Sequence, residues 1–453
     1  MGKEKPPISD QIIDFAYPGT DSFALDNGLT VQVVHQPVLP KVFFRLGFRF
    51  GDKLVPRELA GAGDLLASTL KKGTAHRGYE EIVEGIERLG GELDAASSPD
   101  FFFVAGEFLA HTLEEGLRLV REVVEEPVFP EEEVAKERQI QLAELHNQKS
   151  SPAYLASRRL YKMVFGTHPY AVFKDESSLA RIQRTHLSGL HAQYFRPEDA
   201  VLMVGGDLAP KEAHGLAVQL FGAWKASKQR AQRPTLPSLD STQPRRIHLI
   251  HRPQAAQSTL YLGIRLFARN HPDYEKMLVT NKILGGGASG RLFMNLREEK
   301  GYTYGAYSQL QLHQEAGFWL AHADVRPEVT AAALETFQEE ILRIGTEPVE
   351  TEELRTAQRY LMGIFPLQNE TASSVARLAL EQIFYGLPED YWRHYLERIA
   401  QVSIEDVLQT ASRYLRTEHL QIAVVGDADK ILAQLQALGP VQVFDVNDHP
   451  IQA

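Results

Sequence analysis

Apolar positions in this chain alternate in short runs and recur at helical spacing in longer ones. Residues 23–35 read as a hairpin: FAL, a turn at Asp26–Asn27–Gly28, then LTVQVVH. Asn-Gly between two such runs favours a tight turn, because both residues tolerate positive φ. Residues 42–50 (VFFRLGFRF) form a strand with Val42, Phe44, Leu46, Phe48 and Phe50 on one face. Helical spacing predicts helices over 59–70, 79–89, 113–124, from Glu131 toward His146, and over 152–165. Residues 100–109 are a further strand, and 200–205 (AVLMVG) a short buried one that closes at Gly206–Asp207. Residues 1–20 are polar and proline-bearing, and read as a loose arm.

Residues 226–246, ASKQRAQRPTLPSLDSTQPRR, break this pattern with three prolines and almost no apolar side chains. They read as a mid-chain linker. The same order of signals then recurs. Strands are predicted over 247–251, 259–267, 304–312 and 317–324, and helices over 274–284, 329–344 and 352–365. HAQYFRPEDAVLMVGGD (191–207) is echoed by SRYLRTEHLQIAVVGD (412–427). FFFVAGEFLAHTLEEGLRLV (101–120) is echoed, strand then helix, by FWLAHADVRPEVTAAALETF (318–337). The chain therefore reads as an internal duplication: residues 1–225, a linker at 226–246, and residues 247–453. Strands sit beside long helices without regular βαβ alternation. The expected fold class is α+β, two homologous halves, each a mostly antiparallel sheet with helices packed on one face.

The stretch 289–307, SGRLFMNLREEKGYTYGAY, carries the candidate chemistry. Ser289 is a plausible helix N-cap, Leu292, Phe293 and Leu296 form one apolar stripe, and Gly301 is a C-terminal stop. The chain then runs extended through Tyr302, Thr303 and Tyr304. Arg297, in the last helical turn, precedes Tyr304 by seven residues, so the helix-to-strand turn can bring both toward one point. A guanidinium and a phenol there would hold a peptide carbonyl or a developing oxyanion. The structural alternative is a surface Arg297 paired with Glu298 or Glu299 and a half-buried Tyr304.

Composition narrows the function classes. The 453 residues carry 48 basic and 59 acidic side chains, a net charge of −11, which argues against a dedicated nucleic-acid binder. No apolar run is long enough for a transmembrane helix, and MGKEKPPISD lacks the apolar core of a signal peptide, although a cleaved signal with a replacement Met would look the same. With no cysteine, disulfides and thiolate metal sites are excluded. No H-E-x-x-H occurs. His186 and His191 are five apart without an intervening glutamate, His248 and His251 fall on one strand, and His76 lies in a loop. Each is expected to be solvated or hydrogen-bonded rather than a metal ligand.

Taken in order, NGLTV, KKGT (71–74), FGTHPY (165–170), RPEDAVLMVGGD, the glycines 285–287 and REEKGYTYGAY resemble the pitrilysin/insulinase family of zinc metallopeptidases. The resemblance spans nearly the whole chain. It implies that catalytic members carry H-x-x-E-H on the helix before KGT, two histidines on one face as zinc ligands and a glutamate as general base. Counting back from Lys72–Gly73–Thr74, those positions are here Asp64, Ala67 and Ser68. The later helix keeps Glu137 and Glu144, and Glu144 matches the third ligand. An aspartate and a glutamate do not make a nitrogen-rich tetrahedral site, so no zinc or other cofactor is expected in this chain. The resemblance also assigns Arg297 and Tyr304 to a pair that faces the metal and binds substrate, with Arg291 and Tyr302 as the nearest alternatives.

The implied function is a non-catalytic subunit of a heterodimeric zinc peptidase. The partner would be a homologous subunit holding H-x-x-E-H and zinc, the substrates unfolded peptides, with neither nucleic acid nor membrane as a partner. A scaffold of the same fold, like the respiratory core subunits, is the alternative. An autonomous metal protein using Asp64 and Glu144 is the third reading. The resemblance leans toward bacterial, periplasmic members, with a cytoplasmic location also open.

Overall fold

The computed structural model describes residues 17, 19–226, 233–239 and 244–451. Most of the expected N-terminal arm, and residues 227–232 and 240–243 of the expected linker, lie outside these described residues. The first sheet uses β1 (Asp21–Ala24), β2 (Thr30–His35), β3 (Lys41–Phe48), β4 (Glu92–Ser97), β5 (Phe102–Leu109) and β6 (Ala200–Gly206), ordered β1-β2-β6-β3-β5-β4. The second uses β7 (Arg246–His251), β8 (Ser258–Leu266), β9 (Thr303–Leu312), β10 (Gly317–Val325), β11 (Gln421–Gly426), β12 (Val441–Phe444) and β13 (Pro450–Ile451), ordered β13-β12-β7-β11-β8-β10-β9.

The duplication is visible in the pairing. β2-β6-β3-β5-β4 and β7-β11-β8-β10-β9 share one order, with the first pair parallel and the other three antiparallel. Each half is thus α+β with a mostly antiparallel sheet. The alternation in β3 places Val42, Phe44, Leu46 and Phe48, with Phe50 just beyond, fully inside the core. Helices Tyr79–Arg88 and Leu113–Glu125 bury Ile82, Ile86, Leu117, Val120 and Val124 in that same core. Three strands fall outside the pattern reading: β12, the two exposed residues of β13, and β4, ELDAAS, an edge strand with a single buried side chain, Leu93.

The other face of each sheet is covered by one helix from the opposite half. Helix Pro152–Phe165 packs on β7, β8 and β11, and helix Ala372–Tyr385 on β2, β3 and β6. Glycines permit the close approach. A Cβ on Gly47 of β3 would lie 2.6 Å from the Phe384 ring, and one on Gly263 of β8 3.1 Å from Leu160. The exchange makes the halves one packed unit, since removing either helix would strip the opposite sheet of apolar cover.

A buried polar cluster ties the same junction. Lys53 Nζ lies 2.9 Å from Asp100 Oδ1, both side chains almost fully buried. The Tyr170 hydroxyl donates to Asp100 Oδ1 at 2.5 Å, and the Gln314 backbone N–H of the β9–β10 turn donates to Asp100 Oδ2 at 2.9 Å. Lys53 also donates to Gln314 Oε1 at 2.6 Å and to Glu315 at 3.2 Å. Burial, then the Asp100 carboxylate beside it, hold the Tyr170 phenol far above its usual pKa, so it stays a donor.

Candidate functional site

The stretch from Gly290 to Tyr304 is a tight helix-to-strand hairpin. The helix starts one residue later than the pattern suggests. Gly290, extended at φ −74 and ψ 153, is the N-cap, and Ser289 is exposed without a capping bond. Helix Arg291–Phe293 widens at once into a π-helical turn, Met294–Glu299, where the Lys300 N–H reaches the Asn295 carbonyl at 3.0 Å. Leu292, Phe293 and Leu296 are buried as the stripe requires. Gly301, at φ 62, stops the helix in the left-handed conformation that only glycine adopts cheaply.

This turn joins Arg297 to the first residues of β9. Arg297 Nη1 donates to the Tyr304 carbonyl oxygen at 2.8 Å. The guanidinium also sits 5.0 Å from the Phe293 ring centre and 3.4 Å from Glu298. Its side chain is 44% exposed, and Tyr304 is 88% exposed. An exposed tyrosine of that extent offers its ring and hydroxyl to a ligand instead of the core. The two nearest alternatives are occupied structurally. Arg291 makes a bidentate pair with Glu353 at 2.8 and 2.7 Å, and Tyr302 packs half-buried against the second core.

The helix carrying the motif positions, Ala62–Thr69, and the long helix Glu131–Lys149 face each other across a cavity of about 360 Å³. Asp64, Ala67, Ser68, Glu137, Gln141 and Glu144 all line it. The sequence spacing therefore brings the expected positions together, but their chemistry has been redirected. Lys174 Nζ bonds Asp64 Oδ2 at 2.7 Å, and Lys72 Nζ bonds Glu137 Oε1 at 3.0 Å. Glu144 stands exposed on the cavity wall. Lys174 was not legible as part of this cluster, since it meets Asp64 across 110 residues of sequence. The histidines are elsewhere and engaged. His191 Nε2 contacts the Val124 carbonyl at 2.7 Å, His186 Nδ1 accepts from Gln183 N, and His248 Nδ1 accepts from Arg159 Nε at 2.8 Å. His251 Nδ1 accepts from Ala428 N, and His76 pairs with Glu126 at 2.9 Å.

Two family models match the chain in tandem, the insulinase family (peptidase family M16) over residues 31–172 and the peptidase M16 inactive domain over residues 181–361. The chain belongs to the M16 peptidase family. An uncharacterized zinc protease of Mycobacterium leprae is 26% identical over 398 residues, which cover 87% of this chain and 89% of that protein. A Helicobacter pylori protein described as a non-peptidase homologue is 23% identical over 412 residues, 89% of this chain and 94% of its own. The peptidase M16 inactive domain from Pseudomonas fluorescens superposes with a TM-score of 0.83 at 28% identity, covering 90% of this chain and 98% of that one.

This M16 chain is a non-catalytic member, because the residues of its cavity do not fit the family's zinc. Ala67 cannot take a proton, Ser68 is a poor ligand, and the Asp64 and Glu137 carboxylates are bonded by ammonium groups. The cavity's orphaned buried atom, Gln141 Oε1, is a neutral amide oxygen, which suits zinc poorly. Among the described residues no group of three or more His, Asp or Glu side chains converges as a metal site, and no helix is long and apolar enough to cross a membrane. Adding EDTA to the purified lone chain is expected to leave its melting temperature unchanged. A chelator-induced drop would reveal a bound ion that stabilises the fold.

Asp52 lies behind this cavity, its Oδ1 accepting from Ser97 Oγ at 2.6 Å. Burial, then the neighbouring Asp64 carboxylate, push its pKa up to about 7. The folded chain holds this proton up to about pH 7, whereas an unfolded chain releases it near pH ~4. Stability contributed here therefore falls as pH rises through that window. Asp52→Asn is expected to flatten the fall in urea midpoint between those pH values. An unaltered slope in the variant would contradict the assignment.

Proposed function

We propose that this chain is the non-catalytic subunit of a heterodimeric zinc metallopeptidase, lending Arg297 and Tyr304 to a homologous partner that carries H-x-x-E-H. One asymmetry carries the reading. Of the metal-motif positions, one is now a lysine-bonded aspartate and two are an alanine and a serine, with Glu144 alone kept, while Arg297 and Tyr304 stand exposed on a well-packed hairpin. In such a pair the partner's zinc would polarise the scissile carbonyl and lower the pKa of bound water. Arg297 of this chain would exchange its internal acceptors for the peptide carbonyl and, as the tetrahedral centre forms, for the oxyanion. The Tyr304 hydroxyl would donate to the same oxygen and hold the extended peptide against the hairpin.

The test mixes this chain with a family member from the same source that has an intact H-x-x-E-H. The pair is expected to co-elute as a 1:1 complex and to hydrolyse an unfolded peptide that neither chain cuts alone. Full activity of that homologue by itself, with no response to this chain, would refute the reading. A scaffold of the same fold is the second reading. It is favoured by the bonds Arg297 already makes within the chain, to the Tyr304 carbonyl and beside Glu298. It predicts association without any rate effect.

A further inference from the structure

A second cavity, of about 430 Å³, opens between the two halves of the chain, lined by residues other than those of the cavity at the altered metal positions. Arg45 of β3, Arg269, and Arg377 of helix Ala372–Tyr385 line it, with Glu381 as the one carboxylate. Glu381 is already engaged: Arg377 Nη1 donates to its Oε1 at 2.7 Å, and Arg269 lies 3.9 Å from its Oε2. Arg269 is buried over the Tyr274 ring at 3.7 Å and donates to the Tyr391 hydroxyl at 3.2 Å. Arg45 is different. It makes no hydrogen bond or ion pair among the described residues, and its guanidinium lies 5.5 Å from the centre of the Phe103 ring. Burial and the adjacent Arg377 both work against its charge. Three guanidinium groups against one carboxylate leave a cavity with an unmet demand for an anion.

The remaining wall says what the anion is attached to. Leu310 and Leu312, the last residues of β9, supply apolar surface. β9 ends its sheet and pairs there with β10 alone. Midway along its free edge, the Ser308 N–H turns outward and is taken by the Gly285 carbonyl at 2.8 Å. The antiparallel pleat turns the N–H and C=O groups of Leu310 and Leu312 outward in the same way, and among the described residues no other strand covers them. A free strand edge that runs into an arginine-lined, apolar-walled cavity is what an extended peptide with a terminal carboxylate needs.

We propose that this cavity captures the carboxylate end of an extended peptide that pairs with β9 at Leu310–Leu312, Arg45 and Arg377 gripping the carboxylate and the terminal apolar side chain lying on the leucines. The inference rests on the reading of the chain as a peptide-binding subunit. It places a second contact six to eight residues along β9 from Tyr304, about 20–27 Å at the rise of a strand.

The test is fluorescence anisotropy on the intact lone chain with three fluorescein-labelled unstructured peptides. One ends in leucine with a free carboxylate, one is its amide, and one is an amide ending in glutamate. The free acid is expected to bind at least about tenfold tighter than the leucine amide. Arg45→Gln should erase that preference with an unchanged circular dichroism spectrum, as it removes no internal hydrogen bond. If the glutamate amide matches the free acid, a side-chain carboxylate also serves, and the site stands. Equal binding of acid and amide, a preference that survives Arg45→Gln, or no binding by the lone chain would each overturn the proposal. The Arg297 reading is scored separately, by hydrolysis in the mixed pair.

Discussion

Replacing Arg297 by alanine is expected to slow hydrolysis of an unfolded peptide by the assembled pair about a hundred- to a thousandfold, the usual consequence of losing one preorganised oxyanion donor, ~2.7–4 kcal/mol. The loss should fall on kcat more than on KM, because the developing oxyanion binds the guanidinium more tightly than the ground-state carbonyl does. Misfolding is not the expected cause. Arg297 is half exposed and its one hydrogen bond, to the Tyr304 carbonyl, lies at the surface, where such a bond contributes about 0.5–1.5 kcal/mol. Tyr304→Phe should also lower kcat, since the ring is 88% exposed and only its hydroxyl is removed. Equal rates for wild type and Arg297→Ala would exclude the role outright.

The second large effect concerns stability. Lys53 and Asp100 are 2.9 Å apart with 6% and 2% of their side chains exposed, and their cluster joins residues of both halves. Removing Lys53 leaves the Asp100 carboxylate in the interior without a cation, so Lys53→Met is expected to cost about 3–5 kcal/mol, and Asp100→Ala less, because Lys53 keeps Gln314 and Glu315 as partners. The double variant should recover part of that loss, since no lone charge is left behind. Urea unfolding followed by tryptophan fluorescence measures it: Trp224 belongs to the first core, Trp319 and Trp392 to the second. If the cluster ties the halves, both transitions shift together. A shift confined to the first core would show that the contact with Gln314 and Glu315 contributes nothing.

What the sequence disclosed follows the physics of each element. The hairpin at 23–35, the alternating strand at 42–50 and the long amphipathic helices were readable because one face is buried and the other is wet. β4 was not, because ELDAAS buries one side chain at a sheet edge. Helix Ala372–Tyr385 shows no single stripe, since it packs on the first sheet while also burying Leu378 in the second core. The exchange of helices between halves is long-range and leaves no local trace. At the site, Arg297, Tyr304 and the altered metal positions came from spacing and resemblance; the structure lines Asp64, Ala67, Ser68 and Glu144 along one cavity and bonds Arg297 to the Tyr304 backbone carbonyl. The lysines that bond Asp64 and Glu137 and the arginine cavity depend on contacts distant in sequence.

Whether the work is divided between two chains is decided most directly by one titration. A fixed amount of the H-x-x-E-H homologue is mixed with increasing amounts of this chain, and peptide hydrolysis and protein-bound zinc are read in the same fractions. The expected result is a rate that rises and saturates at one chain per homologue, with one zinc per pair and none in the lone chain. Zinc-dependent hydrolysis by this chain alone, or a rate indifferent to its addition, would contradict it.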